Sequence, residues 1–280
     1  MSVKQGRKYD NPLSAREIKG FIEFHQLNMS EVLLPVEDFK TYPAHPCHLY
    51  LTISFNEFFF RKLKTEARPC TAPDNPAIAV SPADCRSVVF NKITAATEIW
   101  IKGREFTVQR LFGTAYPDEA AKFEGGALGI FRLAPQDYHR FHVPVDGVVG
   151  EPKLIEGQYY TVNPMAIRSA LDVYGENIRT IVPIDTEVFG RVMVVCVGAM
   201  MVGSTVITAK PGQKVRRTDE LGYFKFGTVS LIFYLFFRSS NVSGGSTVLL
   251  IFQPGSFVFD DDLVSNSTQS LETLVHLLIG

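Results

Sequence analysis

The sequence predicts an α+β protein, mainly β, with its helices gathered on the N-terminal side. Two Ser-x-x-Glu signatures precede apolar runs before residue 70, and short β-branched runs separated by Gly, Pro and Asp fill the chain from Ala77 onward. In addition, 46% of the 280 residues are hydrophobic, enough to bury a sizeable core in one large domain or two small ones. The organisation expected is a helical, membrane-facing region over 1–70 followed by a β-rich domain over 71–280.

Ser14-Ala-Arg-Glu17 reads as a capping box ahead of Ile18, Phe21, Ile22 and Phe24, which predicts a first helix running to about His25. Ser54-Phe-Asn-Glu57 repeats the signature before Phe58, Phe59, Phe60 and Leu63 and predicts a second helix ending near Arg68-Pro69. Two uses of these aromatic faces stay open: packing against the body of the protein, or contact with anionic lipid aided by Arg61, Lys62 and Lys64. Strands are predicted at 88–93, 127–133, 148–155, 178–184, 192–202, 205–209 and 248–252. Short helical turns are predicted at 118–123, 135–138 and 166–174, and a last helix from 268 to about 278. The sequence carries no internal repeat or low-complexity tract.

Lys plus Arg (28) nearly balances Asp plus Glu (29), which argues against a nucleic-acid partner held mainly by charge. Cys47, Cys70, Cys85 and Cys196 form no CxxC, so reduced thiols in a reducing compartment are expected. Met1 to Lys8 has no apolar run, so no secretory leader is expected and the sequons at Asn28, Asn241 and Asn266 carry no glycan. The greasiest stretch, 229–237, is far shorter than the ~20 residues a spanning helix needs. Any membrane contact is therefore expected to be peripheral.

The motif richest in chemistry is Gly244-Gly245-Ser246-Thr247. A glycine before a serine lets the hydroxyl approach the preceding carbonyl, because without a Cβ the backbone tolerates strained dihedrals. Attack there converts the amide to an ester, and β-elimination leaves a dehydroalanine that hydrolyses to a pyruvoyl group. The bland reading of the same tetrapeptide is a flexible turn. Upstream, Ser81-Pro-Ala-Asp84-Cys85-Arg86 offers a carboxylate, and Gln136-Asp-Tyr-His139-Arg-Phe-His142-Val-Pro-Val-Asp-Gly147 offers two imidazoles. Serine, histidine and aspartate are the parts of an activated nucleophile. Asp84 also reads as a turn-capping carboxylate. His139 and His142 would share a face on a helical turn, but no third ligand at recognisable spacing makes them a metal site. His45-Pro-Cys-His48 looks more like a metal cluster, yet its ligands crowd one another.

Together with Val197-Gly-Ala-Met-Met-Val-Gly-Ser204 and Lys210-Pro-Gly-Gln-Lys214, these segments resemble the phosphatidylserine decarboxylase family of the eukaryotic type that carries GGST at its processing site. The resemblance runs from about Asn11 to the C-terminus. It implies a barrel-sandwich core like that of lipoyl and biotinyl carriers, and autocatalytic cleavage between Gly245 and Ser246. The products would be a β chain 1–245 and an α chain 246–280 that stay associated, with a covalent pyruvoyl cofactor derived from Ser246 and no metal. It further implies that His142 is the base, that Asp84 orients it, and that His139 protonates the product carbon or places the carboxylate. The implied reaction turns phosphatidylserine into phosphatidylethanolamine and carbon dioxide on the cytosolic face of an endomembrane such as Golgi or endosome, with a homodimer among the possible assemblies. Decarboxylation of a free amino acid such as tryptophan, and an unprocessed, inactive lipid-binding relative, are the alternatives.

Two segments depart from the family pattern: residues 42–54 and 227–243 intervene where its motifs run on directly. Neither has the polar composition of a surface loop, and the second opens Gly-Thr-Val-Ser, as a translated splice donor would. The expectation is that one or both are retained introns, which transcript sequencing across both points checks. Cys85 also stands where relatives often carry Gly.

Overall fold

The computed structural model describes residues 9–35, 54–102, 106–200, 202, 204–226 and 245–277. Residues 42–53 and 227–243 of the two expected insertions, the His45 to His48 cluster and Gly244 lie outside the described residues.

The β-branched runs pair as an open, antiparallel, nine-stranded sheet. Its strands are β1 (Cys85–Phe90), β2 (Leu128–Leu133), β4 (Gly147–Val149), β5 (Lys153–Ile155), β6 (Arg179–Thr186), β7 (Gly190–Val197), β9 (Lys214–Val215), β11 (Ser246–Ile251) and β12 (Thr273–Val275). The order is β12-β1-β2-β11-β7-β6-β4-β9, with β5 also on β6. A second sheet, β3-β10-β8, joins Arg140–His142, Glu220–Lys225 and Ser204–Ile207. The α+β, mainly β class holds. The barrel-sandwich is not seen among the described residues, because β12 and β9 end the large sheet without pairing to each other.

Strands alternate their side chains between two faces, and here both faces are covered. Val88, Ile130, Val195, Leu249 and Ile251 face a core closed by the helices Ile93–Ile99, Val108–Phe112, Pro164–Ile167 and Val173–Glu176. Val89, Phe131, Leu133, Val194, Val248 and Leu250 face a second core shared with Phe58, Phe59, Phe141 and Phe224. Such two-sided burial explains why the central strands read as continuous apolar runs.

The second capping box is present as predicted, with Ser54 Oγ accepting from Glu57 N and the Glu57 carboxylate accepting from Ser54 N. Its helix spans only Phe55–Phe59, however, and stops at Phe60 well short of Arg68. Phe55, Phe58 and Phe59 are buried, each contributing about 1.5–3 kcal/mol. This aromatic face packs inward.

Three expectations are corrected. Ser14 does not cap a helix: a 3-10 turn, Pro12–Glu17, is capped by Asn11, and the Ser14 hydroxyl accepts from Phe55 N, tying the N-terminal segment to the next helix. The α-helix follows as Ile18–His25. The last helix is Asp261–Thr268, started by an acidic first turn that suits the positive helix end. The apolar tail after it forms β12 against β1 instead. Residues 135–138 form turns without a helix, and His142 lies in β3.

Candidate active site

Ser246 is the first residue of β11, which lies between β2 and β7. Its register partner is Leu133. Strand alternation puts Ser246 on the same face as Val248 and Leu250, the face shared with Phe59 and Phe141. The side chain is 0% exposed, and its Oγ has no hydrogen-bond partner among the described residues. A buried hydroxyl left unpaired costs about 1–3 kcal/mol, so Ser246 does not contribute to stability through its oxygen.

Gly245 explains the approach, for a reason different from the strained dihedral expected. Its φ is not in the left-handed region. A Cβ there would instead stand 2.3 Å from the Leu133 carbonyl oxygen, so only glycine lets the strand run this close.

From Leu133 the chain turns through residues 134–138, held by Asp137 Oδ2 accepting from Ala134 N at 2.7 Å, and returns as His139. The Asp137 carboxyl is pushed up to about 6, chiefly by burial. His139 is fully buried, its ring 3.8 Å from that of Phe59. Its Nδ1 lies 2.8 Å from the Asp137 carbonyl oxygen and must donate to it, so Nε2 carries the lone pair. That Nε2 is buried without a partner among the described residues. Burial drags the imidazole pKa down to about 3, which keeps the ring neutral. Thus an unpaired base follows the tight turn that leaves Leu133, the register partner of the unpaired Ser246 hydroxyl.

His142 is half-buried. Its Nδ1 donates to the Thr218 carbonyl at 2.6 Å, and its Nε2, 3.2 Å away, accepts from the Tyr138 hydroxyl. Burial lowers its pKa. It lines a cavity of about 380 Å³ with Lys62, Lys64, Arg68, Tyr138 and Glu220. His142 lies in β3 and His139 just before it, with no helical turn between them, so the helical spacing that would put both rings on one face is absent.

Asp84 stands just before β1, where His142 N donates to the carbonyl of nearby Pro82. No hydrogen bond joins it to His142 among the described residues. Its carboxylate accepts from Arg68 Nε at 2.9 and 3.1 Å, from Arg68 Nη2 at 2.6 Å, and from Leu277 N at 2.7 Å. The charge of Asp84 still favours protonation of His142, though as the weakest of several influences. The structure therefore brings Asp84 and His142 into one neighbourhood but gives the orienting contact to Thr218. Arg68, Tyr138 and Thr218 were not foreseen; Tyr138 lies inside the two-histidine motif, whereas Thr218 acts through a backbone carbonyl that has no sequence signal. Cys85 is buried, which raises its thiol pKa, and its hydroxyl neighbour is Ser81 at 3.8 Å. Among the described residues no group of three metal-ligating side chains is found.

A buried, unpartnered serine on a central strand, preceded by a glycine whose Cβ would strike a neighbouring carbonyl, is an arrangement suited to reaction with the chain's own backbone. Comparison with known proteins gives that class its family. The phosphatidylserine decarboxylase family matches residues 55–242, and the chain belongs to that family. It is 55% identical over 277 residues to phosphatidylserine decarboxylase proenzyme 3 of Schizosaccharomyces pombe, covering 99% of this chain and 25% of that protein. Phosphatidylserine decarboxylase proenzyme 2 of Komagataella phaffii is 50% identical over 276 residues, covering 98% of this chain and 24% of that protein. The proenzyme of Fusobacterium nucleatum is 36% identical over 272 residues, covering 97% of this chain and 79% of that protein. The chain thus spans about a quarter of the length of the two fungal relatives.

Proposed function

We propose that this chain cleaves itself between Gly245 and Ser246 and then decarboxylates phosphatidylserine to phosphatidylethanolamine. The observation that carries the reading is the Ser246 hydroxyl, buried and unpartnered beside a glycine pressed onto the Leu133 carbonyl. In the self-cleavage step Oγ loses its proton to a neutral imidazole and adds to the Gly245 carbonyl carbon. The C–N bond to Ser246 breaks as the nitrogen takes up a proton, leaving an ester. Loss of the Ser246 α proton expels the Gly245 carboxylate from Cβ, and one water then converts the enamine to a terminal pyruvoyl with release of ammonia.

The residues fit that group: it takes the place of Ser246 itself, at a buried position with no competing partner among the described residues. Bound there, its ketone supplies an electron sink for the pair released as carbon dioxide leaves. His142, held by Thr218, is the proposed base for cleavage, with Asp84 acting on it only through its charge. His139, neutral and with a bare Nε2, is the proposed residue for the later proton at the product carbon, which its Nε2 first takes up from water and then delivers. Changing each histidine to Ala separates the two: loss of the cleavage base leaves the precursor uncut, whereas loss of the later proton donor gives a cut, inactive protein.

Binding at a membrane surface is proposed to be peripheral. Among the described residues no helix is long and apolar enough to cross a membrane, and Leu13, Phe24 and Leu33 are exposed on the N-terminal segment. The endomembrane location, facing the cytosol, rests on the resemblance alone. The reading is tested by intact mass beside release of labelled carbon dioxide from phosphatidylserine vesicles, with free tryptophan as competitor. Two fragments split at 245/246 and activity indifferent to tryptophan are expected. A processed protein that releases no carbon dioxide from the lipid overturns the substrate assignment.

A further inference from the structure

One charge around the histidines goes unanswered. Arg61 is buried, with its guanidinium 5.1 Å over the Phe58 ring. Its Nη1 and Nη2 reach the carbonyls of Phe58 and Gln136 only at 3.5 and 3.4 Å, and its Nε has no partner. No carboxylate among the described residues forms an ion pair with it. Burial lowers its pKa to about 10, against the opposing pull of the Asp84 and Asp137 charges. A buried charge left uncompensated is expensive.

Arg61 lines a cavity of about 300 Å³ with Glu31, Arg68, Asp84, Asp137 and Tyr138. Arg68 takes both Glu31 and Asp84, and Asp137 is occupied with the Ala134 amide. Lys62 and Lys64 line the adjoining cavity that holds His142, and Leu63, Arg68 and Tyr138 border both. Through Gln136, Arg61 touches the turn that leads from Leu133, opposite Ser246, to His139.

We propose that Arg61 binds the phosphodiester of the lipid headgroup, flanked by Lys62 and Lys64, and so positions the substrate beside the His139 turn. This rests on the decarboxylase reading. The headgroup offers two anions, and chemistry separates them. The carboxylate becomes neutral carbon dioxide, so a guanidinium on it would stabilise the ground state more than the transition state and slow the reaction. The phosphodiester keeps its charge throughout, and its oxygens match the planar fork of arginine.

The test uses the full chain carrying Ser246→Ala, so that binding is read without turnover, and calorimetry with glycerophosphoserine, glycerophosphoethanolamine, free serine and inorganic phosphate. Both diesters are expected to bind with similar affinity, and adding Arg61→Gln should weaken both by about tenfold or more while leaving free serine unchanged. Arg61→Lys, which keeps the charge and loses the fork, should fall between. If the Gln variant does not fold, as read by thermal melting, an unchanged affinity in a folded Lys variant overturns the proposal. So do a loss confined to glycerophosphoserine, which would put Arg61 on the carboxylate, and a lack of binding by either diester. Inorganic phosphate that binds as tightly as the diesters and displaces them would assign the pocket to free phosphate instead of a headgroup. The decarboxylase reading fails by a different readout, absent carbon dioxide release from processed wild-type protein.

Discussion

Asp84 and Ser246 are both buried polar residues at the start of strands that flank β2, yet their surroundings are opposite. Asp84 has its carboxylate answered by three guanidinium contacts and a backbone amide. Ser246 has an oxygen that nothing answers among the described residues. A satisfied buried network braces a fold, and an unsatisfied one costs stability and is kept for what it does. The contrast shows that Asp84 braces the fold and supports the proposal that Ser246 reacts.

The largest effect expected is that of Ser246→Ala, which should leave a single uncut species of 31.2 kDa in mass spectrometry and melt no lower than the precursor, since the lost hydroxyl held no bond. Next comes Asp84→Ala. Leaving Arg68 with Glu31 alone and the Leu277 amide without its acceptor should lower stability by about 1–3 kcal/mol in denaturant titration. A milder Asp84→Asn that melts normally but cleaves slowly would break the contrast and return Asp84 to the reactive group. Gly245→Ala should cost about 1–3 kcal/mol through its clash with the Leu133 carbonyl. The accompanying displacement of ~1 Å should slow cleavage by roughly a hundredfold, followed as precursor decay on a gel.

The smallest effect is in pH. His139 is held neutral with its pKa lowered from 6.5 to about 3, so between those values the unfolded chain binds the proton and stability falls as pH drops below 6.5. Asp137 works in the opposite sense, because its raised pKa favours the folded state as pH falls from about 6 toward 3.8. The Tm of wild type should therefore decline most clearly just below pH 6.5, and His139→Phe should shrink that decline while keeping the ring contact with Phe59, the remainder coming from His25 and His142, whose pKa burial also lowers.

What could be read in advance was what the chain decides locally. The Ser54 and Glu57 box needs only four consecutive residues, and it formed. The Ser14 box has the same letters, but a long-range partner, Phe55 N, takes the hydroxyl. The tail after residue 268 has the apolar content of a helix, yet the free edge of β1 offers backbone pairing that overrides it. Ser246 and the two histidines could be singled out in advance because a hydroxyl and an imidazole are side chains suited to the proposed chemistry. The partner of Asp84 was not, because Arg68 reaches it only through the tertiary fold. The glycine at 245 was legible, and its reason, a neighbouring carbonyl that a Cβ would strike, was not.

β11 is zipped along its length to β2 on one side and β7 on the other. A cut at its first residue would turn an internal strand into the start of a separate peptide that contributes the middle of the sheet. Such a two-piece protein keeps its shape only while never fully melted: once unfolded, reassembly becomes a bimolecular search, so maturation would trade a chain able to renature for one whose native state is held by kinetics.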